Sequence, residues 1–293
     1  MGLNQKTAEA ISEQIKKFGD KIDWHKPWVS VYHQNLISGR AYHGINAFMT
    51  WLLSQVNEYK SFKWATLKQW NEKGYKIRAG EKSTRVFFWK PLTYNAEVKN
   101  SEGEITLEEK EYWMLKVYYV FNGSQIDGYN IEDEFKVEKK ELLKLENFDE
   151  MVTNYGITIG HSQSRCCYIP LEHTIQMVDK KFFAKESEWY STLAHELIHS
   201  TAKVLGRKKD GQVNPFGSPE YAFEEVVAET GAGLLMQHFG IDYFLQENNI
   251  AYIKGWLESC QKQPELLVKA TSLAQKAADY LLKFIEEKQL EEN

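Results

Sequence analysis

The sequence predicts an α+β protein in two domains: a small front domain of mixed helix and strand, and a mostly helical rear domain with a small sheet. Three observations lead there. A length of 293 residues suits two domains. The charge divides: residues 1–90 hold 15 Lys and Arg against 7 Asp and Glu, a net of +8, whereas the remaining 203 residues hold 21 against 34, a net of −13. The aromatic residues divide too, with seven of the nine tryptophans at or before Trp113. A basic, aromatic front and an acidic rear are expected to serve different partners.

In chain order, residues 3–18 carry Ala8, Ile11, Ile15 and Phe18 on one stripe and predict a helix. A turn-rich stretch from Asp23 to Trp28 follows, then a turn at Ser38–Arg40. Asn46 to Tyr59 is helical in pattern, and Thr66 to Lys73 is a shorter helix stopped by Gly74. Val86 to Trp89 and Tyr112 to Phe121, rich in aromatic and β-branched residues, are strands. The polar, acidic residues 95–111 between them predict a hairpin tip or a mobile loop. Apolar residues become scarce from Asp127 to Lys140, so the front domain is placed at 1–130 and the rear domain at 137–293. A helix over 141–155 and short strands at 157–161, 165–169 and 174–178 open the rear domain. Glu188 to Leu205 is a helix. Another starts at Ser218–Pro219–Glu220, a capping Ser with Pro at the first helical position, and runs to about Phe239. Helices near 249–260 and 264–287 close the chain.

The chemistry concentrates at His195-Glu196-Leu197-Ile198-His199, an H-E-x-x-H motif. Residues i and i+4 share one helix face, so both imidazoles reach a single ion. Glu196, beside the first ligand, is placed to take a proton from water as the catalytic base. Zinc suits two imidazoles, and other divalent ions fit the same donors. A third ligand is expected on the next helix, where Glu224, Glu225 and Glu229 lie. Glu225 and Glu229 share a face, and Glu224 sits about 100° away around the helix. His238, at the far helix end, is expected to be an ordinary surface histidine. Ile175–Val178 precedes the motif helix, where similarity to zincins implies an edge strand beside the cleft that pairs with an extended substrate; an ordinary edge strand is the alternative.

Residues 1–90 interleave cations with aromatics: Arg40, Tyr42, Trp64, Arg78, Lys82 and Arg85 stand among them, with Asn46 nearby. Single strands expose base faces that stack on aromatic rings, and Lys and Arg follow the phosphates. Gly80-Glu81-Lys82-Ser83 is not a Walker loop, because Glu81 separates the glycine from the lysine. No apolar run approaches the length of a membrane span. The amino terminus lacks the apolar core of a secretory signal, and three cysteines, two of them adjacent, make a poor disulfide framework. A reducing cytoplasm and no membrane are therefore expected.

With both halves in view, the chain resembles the ArdC-type antirestriction proteins of plasmids and other mobile elements. In the front the resemblance is carried by Trp28, Ser38 to Asn46, Trp64-Ala65-Thr66, Gly74 to Ser83, Val120-Phe121-Asn122 and Asp127-Gly128. In the rear it is carried by Tyr168-Ile169-Pro170, His195 to Thr201, Tyr221 to Glu229 and Ser272 to Tyr280. His43 stands where the family usually has Arg, and Lys203 stands where a histidine often follows the metal motif. The resemblance implies a single-stranded DNA-binding domain followed by a zincin-like metallopeptidase domain. It implies Glu225 as third metal ligand and Glu229 as the acid that orients a ligand histidine. It also implies protection of incoming DNA, with single-stranded DNA and protein substrates such as host restriction components as partners. Two rival readings remain: a metal-stabilised DNA-binding protein without proteolysis, and a metallopeptidase whose basic front recruits its substrate.

Overall fold

In the computed structural model the described residues are 32–99, 105–137, 145–208, 214–215, 218–243 and 262–285, with isolated positions at 9–16 and 255–260. The predicted turn at Asp23–Trp28 and most of the helices at 3–18 and 249–260 lie outside them.

The fold is α+β. The front sheet has the order β1 (Gln34–Asn35), β2 (Lys63–Thr66), β5 (Ile105–Asn122), β4 (Thr84–Lys99). β1 runs parallel to β2, and the other pairs are antiparallel. Helix α1 (Ile45–Asn57) packs on this sheet. Its Asn46 is buried: the side-chain amide donates to Phe87 O at 2.7 Å and accepts from Phe87 N at 2.7 Å, pinning α1 to β4. Thr66 caps the short α2 (Leu67–Glu72) in a reciprocal box with Gln69. Gly74 then turns the chain at φ 83°, a conformation that glycine adopts without strain. β3 (Lys76–Ile77) and β6 (Ile126–Asp127) form a separate two-stranded ladder.

The residues predicted as a hairpin tip or mobile loop are mostly strand. β4 and β5 stay paired from Thr84↔Val120 to Lys99↔Ile105, and 100–104 lie outside the described residues. A two-stranded ribbon is held by its backbone ladder, and polar side chains do not stop it. Leu92, Ala96 and Val98 keep one face of β4 partly covered. Pro91 is tolerated because β4 is the edge strand.

The apolar-poor segment is not slack throughout. α3 (Glu132–Val137) carries a buried Glu134, which accepts from Ser61 Oγ and, at 3.0 Å, from Phe62 N. Helix α4 (Leu145–Tyr155) and the sheet β7 (Thr158–His161), β9 (Thr174–Met177), β8 (Cys167–Ile169), in that spatial order, open the rear half. The three main rear helices are α5 (Glu186–Ser200), α6 (Pro219–His238) and α7 (Pro264–Leu282). Ser218 caps α6 by accepting from Tyr221 N, with Pro219 at its first turn. One hydrophobic cluster runs through both halves, from Phe48, Trp51 and Phe87 to Leu197, Val227, Ala270 and Ala274. Gln275 of α7 accepts from Gly44 N at 3.1 Å, closing the same junction. No helix among the described residues is long and apolar enough to cross a membrane.

Candidate metal centre

Helices α5 and α6 bring the polar residues together because small residues let them approach. A Cβ on Gly231 would sit 3.0 Å from Ile198 Cδ1, so a larger residue there would press on the Ile198 side chain of α5. On α5, His195 and His199 point the same way, with their Nε2 atoms 3.0 Å apart. Glu225 of α6 faces both, at 3.4 Å from His195 Nε2 and 3.5 Å from His199 Nε2. One ligand atom from each of the three lies within 4.8 Å of the other two.

Each imidazole has an acid at its other nitrogen. His195 Nδ1 is 3.2 Å from Glu229, and His199 Nδ1 is 3.3 Å from Glu224. The acids are held in turn. Tyr243 donates its hydroxyl proton to Glu229, and Arg207 reaches Glu224 Oε1 at 3.0 Å. A carboxylate at Nδ1 favours the N–H there and leaves Nε2 with a bare lone pair when the ring is neutral; Glu224 is hydrogen-bonded to His199 Nδ1, and Glu229 lies close to His195 Nδ1 without an aligned hydrogen bond. Two such lone pairs and a carboxylate converge on one point, which is the donor set a divalent cation takes.

The site is deeply buried. His195 is 3% exposed, and Glu196, Glu224, Glu225 and Glu229 are all buried. Burial pulls His195 towards neutrality, but Glu229 and Glu225 hold its pKa well above the ordinary value. Burial would raise Glu224, yet His199 and Arg207 bring it down to about 2. Glu225 is likewise held well below the usual carboxylate range, against burial, by the two histidines. Four buried carboxylates gather around two imidazoles and one guanidinium, a concentration of buried charge that packing does not call for.

Glu196 points toward the sheet, and its Oε2 accepts from Tyr168 N at 2.7 Å. Tyr168 lies on β8, which is an edge strand. This corrects the expectation for Ile175–Val178: β9 is the middle strand, with partners on both sides, and offers no free backbone edge. Helix α5 also stops at Ser200 rather than Leu205. The chain turns back so that Arg207 donates to Ile198 O at 2.7 Å and to Thr201 Oγ1 at 2.9 Å, satisfying a carbonyl at the helix end. Sequence reasoning missed Arg207, Tyr243 and Tyr168. Only Arg207 left a signal, as a cation just past a helix C-terminus. Half-buried His238 lies at the end of α6, outside the cluster.

The front-domain candidates divide. Trp64 is fully buried, and Tyr42 and Asn46 are buried as well. In place of the expected stacking, Trp64 shows no ring face on the surface, whereas Tyr42 and Asn46, though buried, line a cleft beside Phe87 and Phe88. Arg40 and Lys82 are exposed. Exposed Arg78 pairs with Glu81 at 3.0 Å and donates to Ser124 O, and half-buried Arg85 pairs with Glu13 at 3.2 Å.

Comparison with known proteins covers almost the whole chain. Residues 2–121 match the family described as the N-terminal domain of anti-restriction factor ArdC, and residues 146–273 match the zincin-like metallopeptidase family. The chain is 30% identical to the DNA primase TraC of Escherichia coli across 99% of its own length, which is 28% of that protein. It is 27% identical to protein y4eC of Sinorhizobium fredii, covering 89% of this chain and 84% of the relative. Among solved structures it resembles the metal-free antirestriction protein ArdC of plasmid R388, with TM-score 0.70, 30% identity, and coverage of 94% and 97% of the two chains. The Mn(II)-bound form of that protein matches with TM-score 0.65 and 29% identity, over 99% and 100% of the two chains.

Proposed function

Because the chain belongs to the ArdC antirestriction family, we propose that it binds single-stranded DNA and holds one divalent ion on His195, His199 and Glu225 for peptide-bond hydrolysis. The observation that carries the metal reading is the convergence of two Nε2 atoms and a carboxylate inside a buried cluster of ionisable groups. The Mn(II)-bound relative supports a divalent ion. Zinc is favoured by the donor set of two imidazoles and one carboxylate. An ion held there lowers the pKa of water and polarises a carbonyl oxygen.

The chain's own residues supply the rest. Glu229 and Glu224, braced by Tyr243 and Arg207, keep the imidazoles in the tautomer that presents Nε2. Glu196 takes the proton of the attacking water and returns it to the departing amine nitrogen. Its hydrogen bond to Tyr168 N sets the carboxylate beside β8. β8 is an edge strand, so substrate pairing moves from Ile175–Val178 to Cys167–Ile169, where an incoming peptide takes the place of Glu196 at Tyr168 N. Protein substrates such as host restriction components suit an antirestriction role in a reducing cytoplasm, in keeping with three free cysteines.

Incubating the metal-loaded protein and its Glu196→Gln variant with unfolded protein substrates tests this. Cleavage by the parent, lower by about 100-fold or more in a variant that keeps its metal, is the expected result. A parent that holds metal but cleaves nothing rejects the peptidase reading. The metal would then be structural and protection would come from coating DNA. The engagement of Glu196 with Tyr168 in a closed site is the observation that favours that second reading.

A further inference from the structure

The outer face of the β4–β5 ribbon has what the buried tryptophans lack. Phe88 is 45% exposed and Tyr118 is 42% exposed, and their rings meet edge-on with centroids 5.6 Å apart. They share one face of the ribbon, because Phe88 pairs with Lys116 and Tyr118 pairs with Val86. The same face carries Lys116 opposite Phe88, and exposed Lys90 two residues further along. Phe88 also lines a cleft of about 1050 Å³ whose opposite wall is α7 of the rear half. Exposed Lys269 and Lys276 stand on that wall, two turns apart on one helix side. Lys269 also lies 5.5 Å from the ring of Phe223. Exposed His43 is on the near wall, and Glu265 is the one acid among the described residues that line the cleft.

Four lysines around two exposed rings suit a polyanion with open base faces, which is the chemistry of a single strand. We propose that single-stranded DNA crosses this face, with bases stacked on Phe88 and Tyr118 and phosphates following Lys90, Lys116 and, across the cleft, Lys269 and Lys276. The inference rests on the DNA-binding reading above. It goes further by giving the metal-bearing half a share of the DNA contact, so that the strand bridges the two halves.

The test titrates labelled oligothymidine with the full chain, read by fluorescence anisotropy over a range of salt. Phe88→Ala/Tyr118→Ala and Lys269→Glu/Lys276→Glu should each weaken binding by about tenfold or more, and only the lysine pair should flatten the salt dependence. Phe88→Trp/Tyr118→Trp keeps two stacking rings and should bind as the parent does. Lys68→Glu, on an exposed α2 lysine outside this face, should stay within about twofold, the scale of one screened surface charge. If the parent binds and the Lys269→Glu/Lys276→Glu protein binds within twofold of it, the proposed path is overturned while the DNA-binding reading stands. If the parent itself does not bind oligothymidine, both fall.

Discussion

His33 in the front half and His195 in the rear are both buried, yet their surroundings push them in opposite directions. Burial takes His33 down to about 4, against a hydrogen bond with the Thr50 backbone. Its neighbour is the ring of Trp64, 5.9 Å away, and the region is an apolar core that keeps the imidazole neutral. His195 feels the same burial, but Glu229 and Glu225 face it and raise its pKa. His199 is raised too, against burial, with Glu224 and Glu225 beside it. One region hides polar groups in order to pack. The other gathers charges that packing alone does not require, and that marks it as a site.

The comparison breaks most visibly at Trp64. If front burial is packing, Trp64→Ala should cost about 3–5 kcal/mol of stability in denaturant unfolding. A variant of parental stability that had lost DNA binding would show instead that Trp64 is a contact. Next comes His33. Below pH 6.5 the unfolded chain takes a proton that the folded chain refuses until about 4. Stability should therefore fall as pH drops across that window, by about 3 kcal/mol from this residue. His33→Gln should show a shallower acid limb than the parent, and identical limbs would remove His33 from the account.

In the rear half, Glu225→Ala should weaken divalent-ion binding by about 100-fold or more, since it removes a ligand. Glu224→Ala and Arg207→Ala act through His199 and should weaken it by about 10- to 100-fold. Calorimetric titration of the metal ranks them, and Glu224→Ala exceeding Glu225→Ala would exchange their roles. The smallest effect belongs to the α2 cap: Thr66→Ala should cost about 1 kcal/mol in thermal unfolding, without touching metal affinity.

These two regions also differ in how far the sequence displays them. The motif helix, the cap at Ser218 and the shared face of His195 and His199 follow from local rules, because i, i+4 spacing on a helix fixes which side chains share a face, whereas Glu225, on another helix, is singled out over Glu224 only by the family resemblance. The acid at each Nδ1 is partly legible in the same spacing, since Glu224 and Glu229 flank Glu225. Tyr243 and Arg207 are not, because tertiary folding alone brings them to those acids. The front surface is less legible still. Trp64, Phe88 and Tyr118 are similar residues in sequence, and the pairing and packing of β2, β4 and β5 decide which are covered. The length of the β4–β5 ribbon was hidden for a related reason: a backbone ladder continues through polar residues that local composition assigns to a loop.

The central claim is that the buried histidine–carboxylate cluster is built around one divalent ion, and counting that ion tests it most directly. Purified protein dialysed against zinc or manganese should retain about one ion per chain by elemental analysis, and His199→Ala should retain almost none while staying folded by circular dichroism. Full occupancy in His199→Ala, or no ion in the parent, would contradict the account.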